Sequence, residues 1–358
     1  MIRFIIRRVV VSIPVLLGIL FLVFALARLL PGDPCVGALG ERATPEKCAL
    51  YNAQHGLDRP IPEQFAVYLG EIARGDLGTS IEEGKPIGDL LIERLPQTVE
   101  LAFYALLFAL VVGIPLGILS AAKRNSIVDV GTMMLANLGV STPIFVLGLL
   151  LAFLFAIVLN HTPLALPPSG RLSPGAEAMP LVEAWGLEGL GGPPRAIIDF
   201  LSNIYTLNAI LRFDWKLLGD TVRHMILPAI TLGTIPLAIV ARMTRSSLLD
   251  VLGQDYIRTA RAKGLKERLV IVRHGVRNAM LPVVTIIGLQ FGGLLSGAIL
   301  TETIFRLGGV GSRVFEAVNG RDYAVIQGFT VVVAIGFLIV NLVVDVSYSY
   351  LDPRVRLR

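Results

Sequence analysis

Six long runs without charged side chains constrain the fold of this chain more than any other feature of its sequence. About 20 helical residues, at 1.5 Å each, cross the roughly 30 Å hydrocarbon core of a bilayer. The fourth run is the shortest and contains Pro228 and Pro236, so its ends must lie near the membrane surface or inside protein. The runs are Val9 to Ala27, Leu101 to Ala122, Val130 to Asn160, Met225 to Ala241, Asn278 to Thr301 and Tyr323 to Val344.

These runs predict an all-α integral membrane protein with six transmembrane helices. No water reaches the bilayer core, so backbone groups there must bond within a helix or a closed barrel. The runs show no alternation of polar and apolar residues, which excludes barrel strands. The first run follows three arginines, but the PGDP after it is not a small-residue cleavage site, and we expect it to remain as an anchor.

The charged residues are sorted by the predicted sides of the membrane. With the N-terminus inside, the inner segments hold 17 lysines and arginines against five acidic residues, whereas both outer loops are acidic. We therefore expect a multi-pass protein of a bacterial cytoplasmic membrane with both termini cytoplasmic. This sorting explains the net charge of +5 without a nucleic-acid partner.

The predicted organisation follows from the runs and their sides. It is the cytoplasmic N-terminus with helix one (1–30), an extracytoplasmic loop (31–97), helices two and three (98–160), an extracytoplasmic insertion (161–222), and helices four to six with a cytoplasmic connection at about 242–280 (223–358).

Both cysteines, Cys35 and Cys48, fall in the first predicted outer loop. An oxidising exterior permits a disulfide between them, and two unrelated thiols are the alternative.

Motifs of self-contained chemistry are missing from the sequence. There is no phosphate-binding G-x-x-x-x-G-K-[ST] and no zinc-binding H-E-x-x-H, and the four histidines are scattered. We therefore expect a non-catalytic chain without a cofactor or a metal site.

The connection between the fourth and fifth runs carries dense positive charge on a helical pattern. Leu248, Leu252, Tyr256 and Ala260 follow i, i+4 spacing, which predicts a helix that continues past the membrane as far as Gly264. A second helix is predicted by a stripe of apolar residues, namely Leu265, Leu269, Val272, Val276 and Met280. A basic loop that only fixes topology is the alternative, but such a loop needs neither stripe.

This connection resembles the EAA loop of ATP-binding-cassette importer permeases. The family pattern is EAA, three residues, Gly, and further on Leu-Pro; here it reads Arg258-Thr259-Ala260, then Gly264, then Leu281-Pro282. Arg258 replaces the glutamate and the interval to Leu-Pro is longer, as in the dipeptide, oligopeptide and nickel branch.

The resemblance extends along nearly the whole chain and is greatest to the first permease subunits of dipeptide importers. It includes PGDP at 31–34, GDLGTS at 75–80, TVEL at 98–101, RNAMLPVVTIIGLQ at 277–290 and AILTETIF at 298–305.

The resemblance implies a type I importer permease fold and a set of partners. These are a second, homologous permease subunit, two ATP-binding subunits that hydrolyse ATP, and an extracytoplasmic substrate-binding protein. It implies dipeptides or short oligopeptides as substrates, with glutathione-like compounds, haem or nickel complexes left open. The residues it assigns to ATPase coupling are Asp255, Tyr256, Ile257, Arg258, Thr259, Ala260, Arg261, Ala262, Lys263 and Gly264.

Polar residues inside the runs are few, and they either bond between helices or line a pathway. Asn137 and Gln290 are our candidates for pathway lining, while Gly288 and Gly292 predict close helix packing in the fifth run. A self-sufficient channel or carrier calls for pathway charges or half-molecule symmetry, which the sequence lacks. A membrane-anchored sensor or scaffold is a further alternative, but it needs neither six spans nor a helical, basic connection between two of them.

Overall fold

The computed structural model describes residues 2–29, 35, 43–54, 56 and 58–351, and the PGDP motif lies outside these ranges. The described part of the chain is mostly helical. In chain order its helices are α1 (Ile2–Leu29), α2 (Pro45–Gln54), α3 (Ile61–Ala73), α4 (Ile87–Ala122), α5 (Ile127–Ser141), α6 (Ile144–Phe153), α7 (Leu181–Ala184), α8 (Gly192–Ser202), α9 (Tyr205–Leu211), α10 (Trp215–Leu252), α11 (Asp255–Ala262), α12 (Glu267–Leu269), α13 (Arg277–Gly297), α14 (Ile299–Ile304), α15 (Val310–Gly320) and α16 (Tyr323–Leu351).

Two short π-helical segments extend these elements. Leu154–Val158 continues α6, and Val270–Val276 joins α12 to α13. A π-helix takes more residues per turn than an α-helix, so the faces on either side of each segment are rotated relative to each other.

Five helical segments of the described chain are long and apolar enough to cross a membrane. They contain the second, fourth and sixth predicted runs and overlap most of the first and the fifth. The short fourth run lies inside the 38-residue α10, which accommodates Pro228 and Pro236 in its interior. Because both prolines are buried among neighbouring helices, the helix continues past them.

The predicted third span is not one straight helix. α5 and α6 meet at an angle of 102°, with Thr142 and Pro143 between them. Thr142 is extended (ψ 126°), as expected for a residue before proline, where the α conformation is sterically disfavoured. The two helices make a sixth span only if they are counted together as one broken span. The prediction of a single uninterrupted third span is therefore corrected.

α4 and α10 form the centre of the molecule. A methyl group added at Gly117 would lie 2.5 Å from the carbonyl oxygen of Ala241, and one at Gly233 equally close to that of Ala105. These glycines therefore let the two backbones approach each other closely. Buried apolar side chains such as Leu101, Met225 and Leu227 fill the same interface.

The two glycines predicted for close packing in the fifth run both lie against α16. A methyl group at Gly292 would meet the ring of Phe337 on α16 at 3.0 Å, and one at Gly288 would overlap Val344. Small residues on α13 thus leave room for the side chains of α16. The glycines of α4 and α10 instead lie against backbone oxygens.

Candidate functional site

The charged helix predicted before Gly264 is separate from α10 and not a continuation of it. α10 ends at Leu252, Gly253 caps it, and Gln254 is extended (ψ 153°) before α11 begins at Asp255. The predicted stripe through Ala260 is therefore interrupted at Gly253, a residue type that commonly ends helices. α11 is a short rod with a break at each end.

α11 has one face buried inside the chain and one face exposed. Ile257 and Ala260 pack with Val270 and Leu265 in a small apolar cluster. Arg258 and Asp255 pair at 3.1 Å on the other face, where their side chains are 74% and 93% exposed. The buried face anchors α11, and the charged face is open to another molecule.

The turn after α11 is held by a glycine and an ion pair. Gly264 has a φ of +72°, which glycine adopts without the steric cost that a side chain brings. Arg261 donates two hydrogen bonds to Glu267, at 2.7 and 3.2 Å. This carboxylate raises the pKa of Arg261, so the pair keeps its charge and closes the turn.

The second predicted stripe faces a different direction from the one we expected. Leu269 and Val272 are exposed, whereas Val270 and Gly275 are buried. The π-helical segment changes the angle between successive residues, which the 3.6-residue pattern assumes to be constant. At Gly275 an added methyl group would meet Leu248 at 2.9 Å, so this segment is seated directly on the end of α10.

Tyr256 contributes a contact between α11 and α13. Its hydroxyl accepts a 2.9 Å hydrogen bond from the side chain of Asn278, near the start of α13. α11 is thus tied to both spans that flank it.

The two pathway candidates lie on different helices. Asn137 is exposed on α5 and accepts a 3.3 Å hydrogen bond from Arg242 of α10. Gln290 is half-buried on α13. No hydrogen bond joins the two among the described residues. Asn137 borders an open cavity of about 780 Å³ that Asp129 and Arg245 also line.

An ion pair at this cavity escaped the sequence reasoning. Arg245 donates to both carboxylate oxygens of Asp129, through Nε and Nη2, each at 2.8 Å. Asp129 also accepts from the Ser120 hydroxyl and from the backbone N–H of Asn125. Asp129 stands out in the sequence only as the one acidic residue of a basic loop, which does not identify its partner.

A buried carboxylate joins two of the motifs that carry the family resemblance. Glu302, from AILTETIF, accepts hydrogen bonds from the Thr98 hydroxyl of TVEL at 2.6 Å and from the backbone N–H of Ser312 at 2.9 Å. Burial raises the pKa of Glu302, and these donors oppose part of that increase. Thr98 and Glu302 together hold the start of α15 against α4.

The acidic residue of TVEL, Glu100, fastens the 161–222 insertion. Glu100 accepts 2.8 Å and 2.7 Å hydrogen bonds from Arg171 and from the backbone of Thr206. The Arg171 guanidinium also stacks on the Tyr205 ring at 3.5 Å, which is a cation–π geometry. The insertion is therefore fixed to α4 by a buried pair.

A third buried group lies where GDLGTS meets the last two helices. Ser80 donates a 2.5 Å hydrogen bond to Asp322. Arg313, almost fully buried, pairs with Glu82 at 2.9 Å and with Glu83 at 3.0 Å. Bonding to Glu82 and the nearby carboxylates raise the pKa of Arg313 despite its burial, which lowers it.

Two further features complete the description of polar and reactive groups. The structure joins Cys35 and Cys48 in a disulfide. Among the described residues no group of three or more histidine, cysteine, aspartate and glutamate side chains is placed to hold a metal ion.

The long apolar helices, the close contacts between them and the charged helix between two of them are those of a multi-pass membrane protein. The chain belongs to the family described as the binding-protein-dependent transport system inner membrane component, whose profile matches residues 113–357. The N-terminal profile of the same class of membrane components matches residues 1–102.

Curated relatives match the chain over almost its full length. It is 43% identical to the dipeptide transport system permease protein of Alkalihalophilus pseudofirmus over 99% of this chain and 100% of the relative. It is 44% identical to the dipeptide transport system permease protein of Escherichia coli, over 99% of both chains. The glutathione transport system permease protein of Salmonella choleraesuis is 36% identical, again over 99% of both.

Family membership fixes the role of the chain in its assembly. It is a non-catalytic permease subunit of an ATP-binding-cassette importer. Separate ATPase subunits and a substrate-binding protein are its partners, as the family implies.

Proposed function

We propose that the chain moves dipeptides or short oligopeptides across the cytoplasmic membrane and that α11 is its coupling helix. The high identity to two dipeptide permeases over the whole chain supports this substrate class. The observation that carries the coupling role is the two-faced packing of α11, with Ile257 and Ala260 buried and the Asp255–Arg258 pair exposed.

In the proposed mechanism α11 passes force to the two spans that flank it. An ATPase subunit binds the charged face of α11. Arg258, Arg261 and the capping residue Lys263 give this face a net positive charge. Because Ile257 and Ala260 pack on Val270, the helix cannot slide freely over the chain beneath it. Its movement therefore displaces the end of α10 and the segment that leads into α13, and the transport pathway opens to one side of the membrane or the other.

The proposed assembly contains a second, homologous permease subunit and two ATP-binding subunits. Both termini, the 123–126 turn and the 253–276 connection face the cytoplasm, because the basic residues concentrate there. The 161–222 insertion faces outward, where the binding protein delivers its substrate. Asn137 and Gln290 remain our candidates for the pathway lining.

Transport by reconstituted complexes tests this proposal. We expect ATP-driven uptake of labelled dipeptides into proteoliposomes that contain the permease subunits, the ATPases and the binding protein. Tripeptides and glutathione form the comparison arms, because one relative is named for glutathione. No uptake of any peptide by the complete assembly, or uptake by this chain without partners, would overturn the proposal.

A matched pair of charge reversals tests the role of α11. Arg258→Glu reverses an exposed cation on the proposed coupling face and should lower uptake at least about tenfold, a loss within the usual range of coupling energies. Lys85→Glu is the control, because Lys85 is also exposed, also pairs with an acidic residue, Glu93, and lies outside the 161–222 insertion. Equal uptake by the two variants would remove the coupling role from Arg258.

A further inference from the structure

A single buried carboxylate connects three segments next to the coupling helix. Asp129, 4% exposed, lies in the first turn of α5. It binds Ser120 in the last turn of α4, the backbone of Asn125 in the turn between the helices, and Arg245 of α10. These donors come from α4, from the turn between α4 and α5, and from α10.

The Arg245 contact is suited to resist rotation as well as separation. Two guanidinium nitrogens, Nε and Nη2, each lie 2.8 Å from a different oxygen of Asp129. Such bidentate pairs fix the orientation of the guanidinium relative to the carboxylate, whereas a lysine in the same place would act as a point charge. Partial burial also reduces screening by salt.

The pair stands between the coupling helix and the proposed pathway. Arg245 lies two turns before the end of α10 at Leu252, and α11 begins at Asp255. On the other side, α5 carries Asn137 two turns beyond Asp129, along the wall of the same 780 Å³ cavity. A displacement of α11 that moves the end of α10 therefore reaches Arg245 before it reaches Asn137.

Glycine contacts make the connection between α4 and α10 tight at the same level. Gly117 approaches Ala241 and Thr244, one turn from Arg245, and Ser120 is three residues further along α4. Below this level Ala121 and Leu248 belong to one apolar cluster with Ala279 of α13. The first turns of α5 have few apolar contacts, since Ile127 and Val130 are exposed, and its apolar packing on α4 and α10 lies further along, at Met133 and Ala136. The Asp129 carboxylate is thus the main polar link that holds the start of α5 to α10.

We propose that Asp129 and Arg245 are positioning residues for energy coupling. Their pair clamps the start of α5 to the packed α4 and α10, so that movement of the coupling helix shifts all three helices as one body. Without the pair, α11 and α10 still move in response to the ATPases, but the start of α5 does not follow. This inference rests on the proposed function and adds to it the residues that carry the motion onward.

The number of peptides imported per ATP hydrolysed tests the clamp in the reconstituted full assembly. Asp129→Asn keeps the size of the side chain and an acceptor oxygen for Ser120, but it removes the charge. We expect the ratio to fall at least about tenfold while ATP hydrolysis continues at close to the original rate. A merely structural role would lower import and hydrolysis together, and that result would overturn the proposal.

Two further variants separate the clamp from general stability. Asp129→Arg combined with Arg245→Asp exchanges the partners and should restore the ratio to within about threefold of wild type, whereas each single reversal should not. Arg245→Lys keeps the charge without the bidentate geometry, and we expect an intermediate ratio of import to ATP hydrolysis. This variant tests the clamp if the Asp129→Asn assembly does not form. A wild-type ratio in Arg245→Lys would overturn the clamp.

The same experiment distinguishes failure of the clamp from failure of the proposed function. Peptide import by the wild-type assembly tests the function and does not involve the variants. If the wild type imports peptide and Asp129→Asn has an unchanged ratio, the function stands and the clamp is wrong. The Lys85→Gln variant, which breaks an exposed pair outside the insertion, should leave the ratio unchanged.

Discussion

At the scale of single residues, the buried carboxylates of this protein are compensated by specific partners. Glu100 meets Arg171, Asp129 meets Arg245, and Glu302 meets hydroxyl and backbone donors. Removing a partner from a buried charge leaves its desolvation uncompensated, which is why such changes are strongly destabilising. Exposed pairs such as Arg261–Glu267 contribute little to stability, and their effects on function are correspondingly easier to interpret.

We predict that Arg261→Glu lowers ATP-driven uptake with little loss of folding stability. The side chains of Arg261 and Glu267 are 42% and 54% exposed, so their pair contributes at most about 1 kcal/mol. Uptake in proteoliposomes and thermal unfolding of the purified subunit measure the two effects.

The double variant Arg261→Glu with Glu267→Arg is the control for this prediction. It restores an ion pair across the turn but leaves a negative charge on α11. If the double variant regains full uptake, Arg261 acts only through the turn and does not contact the ATPase.

We predict that Glu302→Ala destabilises the fold by about 2–4 kcal/mol, because the Thr98 hydroxyl and the Ser312 N–H then lose their acceptor and a cavity remains. Glu302→Gln retains an acceptor and should cost less. Thermal unfolding in detergent measures both changes. Equal melting temperatures for wild type and Glu302→Ala would show that this buried network does not support the fold.

The raised pKa of Glu302 also predicts a dependence of stability on pH. Because the folded state favours the protonated form, the stabilisation is present at low pH and is lost as the pH rises through the raised value. Stability of the wild type relative to Glu302→Gln should therefore fall with increasing pH, since glutamine does not titrate. A constant difference across the pH range would contradict the raised pKa.

At the scale of helices, the molecule combines close contacts between helix backbones with breaks between consecutive helices. α4 and α10 approach each other at Gly117 and Gly233, where side chains would overlap the opposite backbone. By contrast, α5 and α6 are separated by Pro143, and α10 and α11 by Gly253. Close contacts transmit displacement, and breaks let neighbouring segments change their relative angle.

We predict that Gly117→Ala destabilises the protein by about 1–3 kcal/mol through overpacking. The added methyl group would lie 2.5 Å from the Ala241 carbonyl oxygen and 2.6 Å from Thr244 Cβ, and a backbone atom cannot move aside easily. Gly18→Ala on α1 is the matched control, since nothing lies within 4 Å of its added methyl group. The control should be neutral or slightly stabilising, because alanine favours helices. Thermal unfolding of the two variants measures the contrast, and equal melting temperatures would contradict it.

At the scale of the whole molecule, the buried charged networks lie near the two opposite ends of α4 and α10. The clusters around Glu100, Glu302 and Arg313 all involve the segments that we place outside, whereas α11 and the Asp129–Arg245 pair lie at the other end of α10. The first group of clusters fixes the insertion, α14 and α15 to α4 and to the segment before it. The other end of α10 leads to the exposed Asp255–Arg258 face of α11, which is available to a partner.

We predict the sidedness of this arrangement from single cysteines in a background without Cys35 and Cys48. Lys263→Cys, beside the exposed Gly264, should react with a membrane-impermeant maleimide only in inside-out vesicles. Glu188→Cys, on the 161–222 insertion, should react only in intact spheroplasts. Labelling of both positions from the same side would reverse or invalidate the proposed topology.

The sequence alone determined the helical class, the placement of the long apolar helices and the position of the charged helix near Gly264. These properties are local, because each uncharged run must satisfy its own backbone inside a bilayer and a glycine sets its own φ. The family resemblance likewise depends on short motifs that are read directly from the chain.

Only the tertiary structure decided which polar residues meet and which faces are buried. Asp129 and Arg245 are 116 residues apart, and Thr98 and Glu302 are 204 residues apart, so their pairing depends on which helices become neighbours. The break at Pro143 and the rotation after Val270 also required the folded chain. Proline permits both a kink and a full bend, and a π-helical segment changes the periodicity on which face prediction depends.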